Sequence, residues 1–96
     1  MAVTKQHIDK AIELAKEYGA TKLLLFGSAL DDPGNANDLD IGVEGLMGMD
    51  FFEFGGVLEN IINTSVDIID LSVNDRFVNY INSIGKLIYD RTGKIN

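Results

Sequence analysis

The spacing of apolar residues along the chain changes several times, and each change marks an element. Ile8, Ala11, Ile12 and Ala15 recur at helical spacing behind Thr4, whose hydroxyl can cap a helix, and Gly19 follows the last of them. A helix is predicted over Lys5–Tyr18. His7 adjoins this stripe without joining it and is expected in solvent. Leu23-Leu24-Leu25-Phe26 is apolar without a break, so Lys22–Phe26 reads as a strand covered on both faces. Asp31-Asp32-Pro33-Gly34-Asn35-Ala36-Asn37 is turn chemistry throughout, 39–43 is a second strand and 45–48 a loop. From 49 to 62, Phe51, Phe54, Leu58, Ile61 and Ile62 again have helical spacing, although each glycine of Gly55-Gly56 removes up to about 1 kcal/mol relative to alanine. Phe51 and Phe54 are expected in the core; Phe52 falls off their stripe. A third strand is expected over 66–71. A last helix over 75–84 would bury Phe77, Ile81 and Ile84, and a short strand over 86–89 closes the pattern. The tail 91–96 is expected to fray.

Strands alternating with helices, without a repeat or a linker, predict one α/β (α+β) domain over 1–96, with helices packed on a mixed sheet. At this length about 60–70% of the unfolded surface can be buried. The chain has no cysteine and one histidine, which excludes a disulfide framework and a thiolate zinc site and disfavours zinc of the usual kind. Charged residues follow the N-terminus at once, and no stretch approaches the roughly 20 apolar residues of a membrane span, so a cytoplasmic protein is expected.

Charge is distributed more informatively than its net value of -7 suggests. From Leu23 through Asp75 there are eleven Asp and Glu residues and no Lys, Arg or His. Because nucleic-acid affinity comes mainly from Lys and Arg on phosphates, direct nucleic-acid binding is not expected of this chain.

Candidate chemistry is concentrated in two places. Gly27-Ser28 leaves the first strand, and ten residues after Ser28 comes Asp38-Leu39-Asp40. Strand side chains alternate, so Asp38 and Asp40 share a face, with alpha carbons about 7 Å apart. Two carboxylates so placed can hold a hard divalent cation, and a Gly-Ser turn offers amides and a hydroxyl to a phosphate. Together they suggest metal-dependent phosphoryl or nucleotidyl transfer. Ordinary roles exist for each: an aspartate can solubilise a strand end, Gly27 can simply turn the chain, and Ser28 can cap a short helix. Gly42, on the carboxylate face, either leaves room above the site or marks an edge irregularity.

The order Gly-Ser, then Asp-x-Asp, then a further strand carrying an aspartate in Ser65-Val66-Asp67-Ile68-Ile69 resembles the minimal nucleotidyltransferases of the DNA polymerase beta superfamily. Ile84-Gly85-Lys86-Leu87-Ile88-Tyr89 resembles the family's closing segment, so the likeness runs over nearly the whole chain. It implies a nucleotidyltransferase-like fold, a Gly27-Ser28 grip on a nucleoside triphosphate, and two Mg2+ ions, with Mn2+ as a substitute, on Asp38 and Asp40. It also implies that Asp67 ligates the first ion or accepts the proton of the attacking hydroxyl. Asp70 would point the other way along its strand and suits a role in ending it. The implied activity is transfer of a nucleoside monophosphate to a protein or small-molecule hydroxyl, and the implied partner is a small helical HEPN-type protein to which such chains act as antitoxin. Relatives commonly carry an arginine soon after Gly-Ser, where this chain has Ala29-Leu30-Asp31-Asp32. That departure leaves open a second reading, a catalytically degenerate acidic module that neutralises such a partner by binding it.

Overall fold

The structure is a computed structural model describing residues 3–93, so the expectation for 94–96 lies outside the described residues. Helix α1, Lys5–Tyr18, begins on Thr4, whose Oγ1 accepts the His7 amide at 3.3 Å while His7 Nδ1 accepts the Thr4 amide at 3.2 Å. His7 is thus the reciprocal member of a capping box, in the position that Glu or Gln more often fills. At the other end Gly19 adopts the left-handed conformation that terminates helices, φ 81°.

Strand β1, Lys22–Phe26, is followed by the one-turn helix α2, Ser28–Asp31, and a 3-10 turn over Pro33–Asn35. Strand β2, Asp38–Glu44, leads through a loop into helix α3, Met49–Ile62, then strand β3, Ser65–Asp70, helix α4, Arg76–Ile84, and strand β4, Lys86–Asp90. The sheet order is β3-β2-β1-β4, with β1 antiparallel to both β2 and β4, and β2 parallel to β3. The mixed sheet expected from the sequence is present.

Alternate residues of β1 enter two separate cores, which is why its sequence has no polar break. Leu23 and Leu25 join Leu39, Ile41 and Val43 of β2 beneath α1 and α3, where Ala11, Leu14, Phe54 and Leu58 meet them. Leu24 and Phe26 face the other way and pack with Leu71, Val78 and Ile81. An edge-to-face contact between Tyr18 and Phe54, centroids 5.9 Å apart, joins α1 to α3. Gly55 lets α3 lie close to the sheet, since an added Cβ would stand 3.3 Å from Ile68 Cγ2.

Two apolar stripes differ from expectation. In α4, Val78 and Ile81 are buried, whereas Phe77 and Ile84 are 52% and 45% exposed. Asp75 caps this helix, its Oδ1 accepting the Val78 amide at 2.9 Å, and Val78 and Ile81 pack with Leu24, Phe26 and Leu71, flanked by Ile69 and Leu87. The helix thus turns Val78 and Ile81, one turn apart, to the sheet and leaves Phe77 and Ile84 on its flanks. In α3 the buried line is Phe54, Leu58 and Ile62 at four-residue intervals, which puts Ile61 on the flank and Phe52 in solvent. Phe51 is half-buried against the core.

Gly42 is explained by packing. A Cβ there would stand 2.6 Å from Leu71 Cδ2, so the missing side chain makes room for the leucine that follows β3 and bonds its amide to Val43 O at 2.8 Å. Gly42→Val is therefore expected to overpack this contact and destabilise the domain by about 1–3 kcal/mol. Urea unfolding should also show a non-additive, partial recovery when Gly42→Val is combined with Leu71→Ala.

Candidate active site

The site is built by strand register. Asp38, Asp40, Gly42 and Glu44 form one face of β2, while Leu39, Ile41 and Val43 are completely buried on the other. Pairing with β3 sets Asp40 opposite Asp67 and Asp38 opposite Ser65, and opposed residues of neighbouring strands point to the same side of a sheet. On the other flank Asp40 is opposite Phe26, the last residue of β1. Asp40 therefore sits between the strand that ends in Gly27-Ser28 and the strand that carries Asp67.

Gly27 has φ 68° and ψ -154°, a region essentially reserved for glycine. Its carbonyl accepts the amides of Leu30 at 3.0 Å and Asp31 at 3.1 Å, closing the turn of α2. A Cβ built on Gly27 would fall inside the van der Waals envelope of Asp40 Oδ2. The glycine thus serves both the turn and the close approach of backbone to carboxylate. Ser28 is exposed, and as the first helical residue it does not supply the side-chain cap that one reading of the sequence allowed.

Partial burial pushes the Asp40 carboxyl from 3.8 up to about 6, helped by the Asp67 charge, a hydrogen bond with Asp67 that requires a proton, and the Asp38 charge. The three aspartates singled out in the sequence are therefore electrostatic neighbours, with Asp40 at their centre. Asp67 itself is exposed, and Asp38 and Asp40 are half-buried. Among the described residues no group of three His, Cys, Asp or Glu side chains is arranged to hold a metal ion. The donor chemistry nonetheless suits a hard cation: all three are carboxylates, and the proton Asp40 retains stands where a positive charge would relieve the same repulsion. Asp70 takes the role that its alternation suggests, with Oδ1 accepting the Ser72 amide at 2.9 Å as β3 ends. Asp31 and Asp32 are exposed beyond Ser28.

Sequence reasoning did not anticipate the polar hollow at the start of β3. A cavity of about 270 Å³ is lined by Glu59, Asn60, Asn63, Thr64 and Ser65. The only sequence signal was a cluster of polar residues between α3 and β3, which reads equally well as a turn.

No family model matches the chain, and no curated protein does so. Solved structures do, at probability 1.00. A toxin–antitoxin complex with AMP-PNP matches at TM-score 0.74 with 23% identity, over 86% of this chain and 73% of the other. The toxin–antitoxin pair MntA–HepT matches at TM-score 0.71 with 20% identity over 93% and 74%. A tri-AMPylated HEPN toxin of Shewanella oneidensis in complex with its MNT antitoxin matches at TM-score 0.71 with 20% identity over 92% and 73%. The chain therefore has a nucleotidyltransferase-like fold. Structures that share it include those of MNT antitoxins from pairs with HEPN toxins. No helix among the described residues is long and apolar enough to cross a membrane.

A raised Asp40 pKa has a definite linkage sign. Between about 4 and about 6 the folded state holds a proton that the unfolded state has lost, so this group's contribution to stability falls as pH rises through that window and stays low above it. In EDTA, Asp40→Asn should melt higher than wild type at pH 7–8 and converge with it below about pH 4. Gly27→Ala is expected to destabilise by at least about 1–3 kcal/mol, through backbone strain and the overlap of its Cβ with the Asp40 carboxylate, read by urea unfolding.

Proposed function

We propose that this chain is a metal-dependent nucleotidyltransferase that moves a nucleoside monophosphate from a triphosphate to a hydroxyl on a protein or small molecule, acting as antitoxin to a HEPN-type partner. The observation that carries the reading is the register that sets Asp40 against Asp67 on one sheet face, with Gly27 packed on the Asp40 carboxylate. The company of the fold supports the same reading, since its neighbours include a complex with AMP-PNP and one with an AMPylated toxin.

Asp38 and Asp40 would hold one or both of two Mg2+ ions, with Mn2+ able to substitute, and Asp67 would share the first. Bound there, the ions would supply Lewis-acid stabilisation of the charge on the transferring phosphoryl group. Backbone amides at Gly27-Ser28 and the Ser28 hydroxyl would orient the β- and γ-phosphates. In the transfer the acceptor oxygen bonds to the α-phosphorus, the bond to the bridging oxygen breaks, and its electron pair leaves with pyrophosphate. The hydroxyl proton passes to the exposed Asp67 carboxylate.

Exposed Asp31 and Asp32 favour the second reading, an acidic module that binds without catalysis, because they oppose a free triphosphate and no arginine accompanies them. On the enzymatic reading, nucleotide binding is weak in the isolated chain and transfer appears mainly once a basic partner covers the cleft. Labelled-nucleotide incorporation with Mg2+ or Mn2+, with and without the HEPN-type partner, separates the two. Wild type should label the partner and Asp40→Asn should fall to background. Equal labelling by both, or an intact complex with no labelling, leaves the binding module. Millimolar Mg2+ or Mn2+ should also raise the melting temperature of wild type, an effect set by concentration over Kd. The rise should disappear in the Asp38→Asn, Asp40→Asn double variant.

A further inference from the structure

The carboxylate face of the sheet changes character along its length, at the same level on two strands. On β2 the face runs Asp38, Asp40, Gly42; on β3 it runs Ser65, Asp67, Ile69, with Leu71 following. Register pairs Asp40 with Asp67 and Gly42 with Ile69, so the carboxylates give way to an apolar shelf about 7 Å further along the strands. Leu71 lies over Gly42, and Ile69 packs against the same cluster. Helix α4 is more apolar than its burial requires. Val78 and Ile81 face the sheet, while Phe77, Tyr80 and Ile84, also at helical spacing, are 52%, 57% and 45% exposed.

The hand of the fold decides where those three exposed side chains point. Helix α3 carries the chain from β2 to the parallel β3 over the dry face, and crossovers of this kind are right-handed. Seen from the carboxylate face with β2 pointing up, the strands therefore read β3, β2, β1, β4 from left to right. On this face α4 runs downward in front of β1, from Asp75 beyond the end of β3 to Gly85, where a Cβ would stand 3.4 Å from Leu24 Cβ. With Val78 and Ile81 turned to the sheet, a right-handed helix running that way projects Phe77 and Ile84 to the left, over β2 and β3, with Tyr80 above them at the rim. Asn79 and Asn82 fall on the other flank. The exposed apolar stripe is thus one wall of the cleft whose floor holds Asp38, Asp40 and Asp67. From this arrangement, and resting on the nucleotidyltransferase reading, we infer that the shelf of Ile69 and Leu71, walled by Phe77, Tyr80 and Ile84, is the base subsite, and that it takes a purine held by stacking. A nucleotide has the same polarity as the cleft: its phosphates belong at the carboxylate and Gly27-Ser28 end, and two strand residues further on is the room a ribose occupies before the base. Apart from the Tyr80 hydroxyl, these five side chains carry no donor or acceptor, so ring area and not hydrogen bonding sets the preference.

Binding by the full chain tests this without relying on turnover. Labelled α,β-methylene analogues of ATP, GTP, CTP and UTP are dialysed with Mn2+ against wild type, Phe77→Ala and Asp40→Asn, and inorganic tripolyphosphate, which has no base, is used as competitor. The sequence has no tryptophan, so Phe77→Trp adds a single fluorophore at the wall. Position 77 is exposed, and circular dichroism melts check that both variants are folded. The two purine analogues should bind wild type alike and more tightly than the pyrimidine analogues. Phe77→Ala should weaken purine binding about tenfold, the loss of one stacked ring, and leave the affinity for tripolyphosphate unchanged. The purine analogues, but not tripolyphosphate, should quench Phe77→Trp. Equal binding of purines and pyrimidines, purine binding that Phe77→Ala leaves unchanged, or no quenching each overturns the base subsite. So does a wild-type dimer in sedimentation that Phe77→Ala dissociates with nucleotide affinity unaltered, since the stripe is then an interface between copies. In each of these cases the nucleotidyltransferase reading stands on Mn2+-dependent binding that Asp40→Asn removes. Absence of Mn2+-dependent binding of both the analogues and tripolyphosphate to wild type overturns both.

Discussion

Strand β2 is paired on both edges, antiparallel to β1 and parallel to β3, and the rest of the molecule depends on that double constraint. Its alternation divides seven residues between a dry face and a charged one. Leu39, Ile41 and Val43 enter the core with no exposure, so slipping the register by one residue would place carboxylates in that core and the apolar side chains in water. Burial on one face thereby holds the aspartates on the other at fixed heights opposite Phe26 and Asp67. The helices follow from the same division: α1 and α3 cover the dry face, and α4 packs on the opposite face over Leu24 and Phe26 of β1.

Holding Asp40 close to Asp67 and Asp38 in a partly buried setting works against the stability of the fold. The raised Asp40 pKa expresses that opposition: Asp40 keeps a proton to a higher pH than an isolated aspartate would. Gly27 adds to it, because the backbone there adopts a conformation few residues share and brings the chain against the same carboxylate. Local strain and like-charge crowding in one place are common where geometry serves chemistry, and the two large apolar clusters offset them.

Much of this was legible in the sequence because it rests on local patterns. The unbroken Leu23–Phe26 run announced burial on both faces, Thr4 and Gly19 marked both ends of α1, and Asp-x-Asp put two carboxylates on one strand face by alternation alone. The pairing of Asp67 with Asp40 needed the register of a parallel pair, which is set by how α3 returns the chain and not by residues near either aspartate. The phase of α4 was hidden for a related reason: apolar residues at 77, 78, 80, 81 and 84 allow more than one stripe, and packing on Leu24, Phe26 and Leu71 chooses Val78 and Ile81. The capping role of His7 was not read because capping boxes are usually recognised from Glu or Gln. Gly42 could not be interpreted without Leu71, its spatial neighbour beyond β3.

The parallel pairing of β2 with β3 also bears on when, during synthesis, the protein becomes competent. Parallel neighbours need a long crossover, here α3, so Asp38 and Asp40 emerge well before Asp67 can join them. A nascent chain that has exposed only its first two strands has the Gly-Ser turn and two of the three carboxylates but no complete site. Any cation or nucleotide that needs all three aspartates will then stabilise finished molecules and not partly made ones, biasing late folding toward the native register as soon as β3 docks.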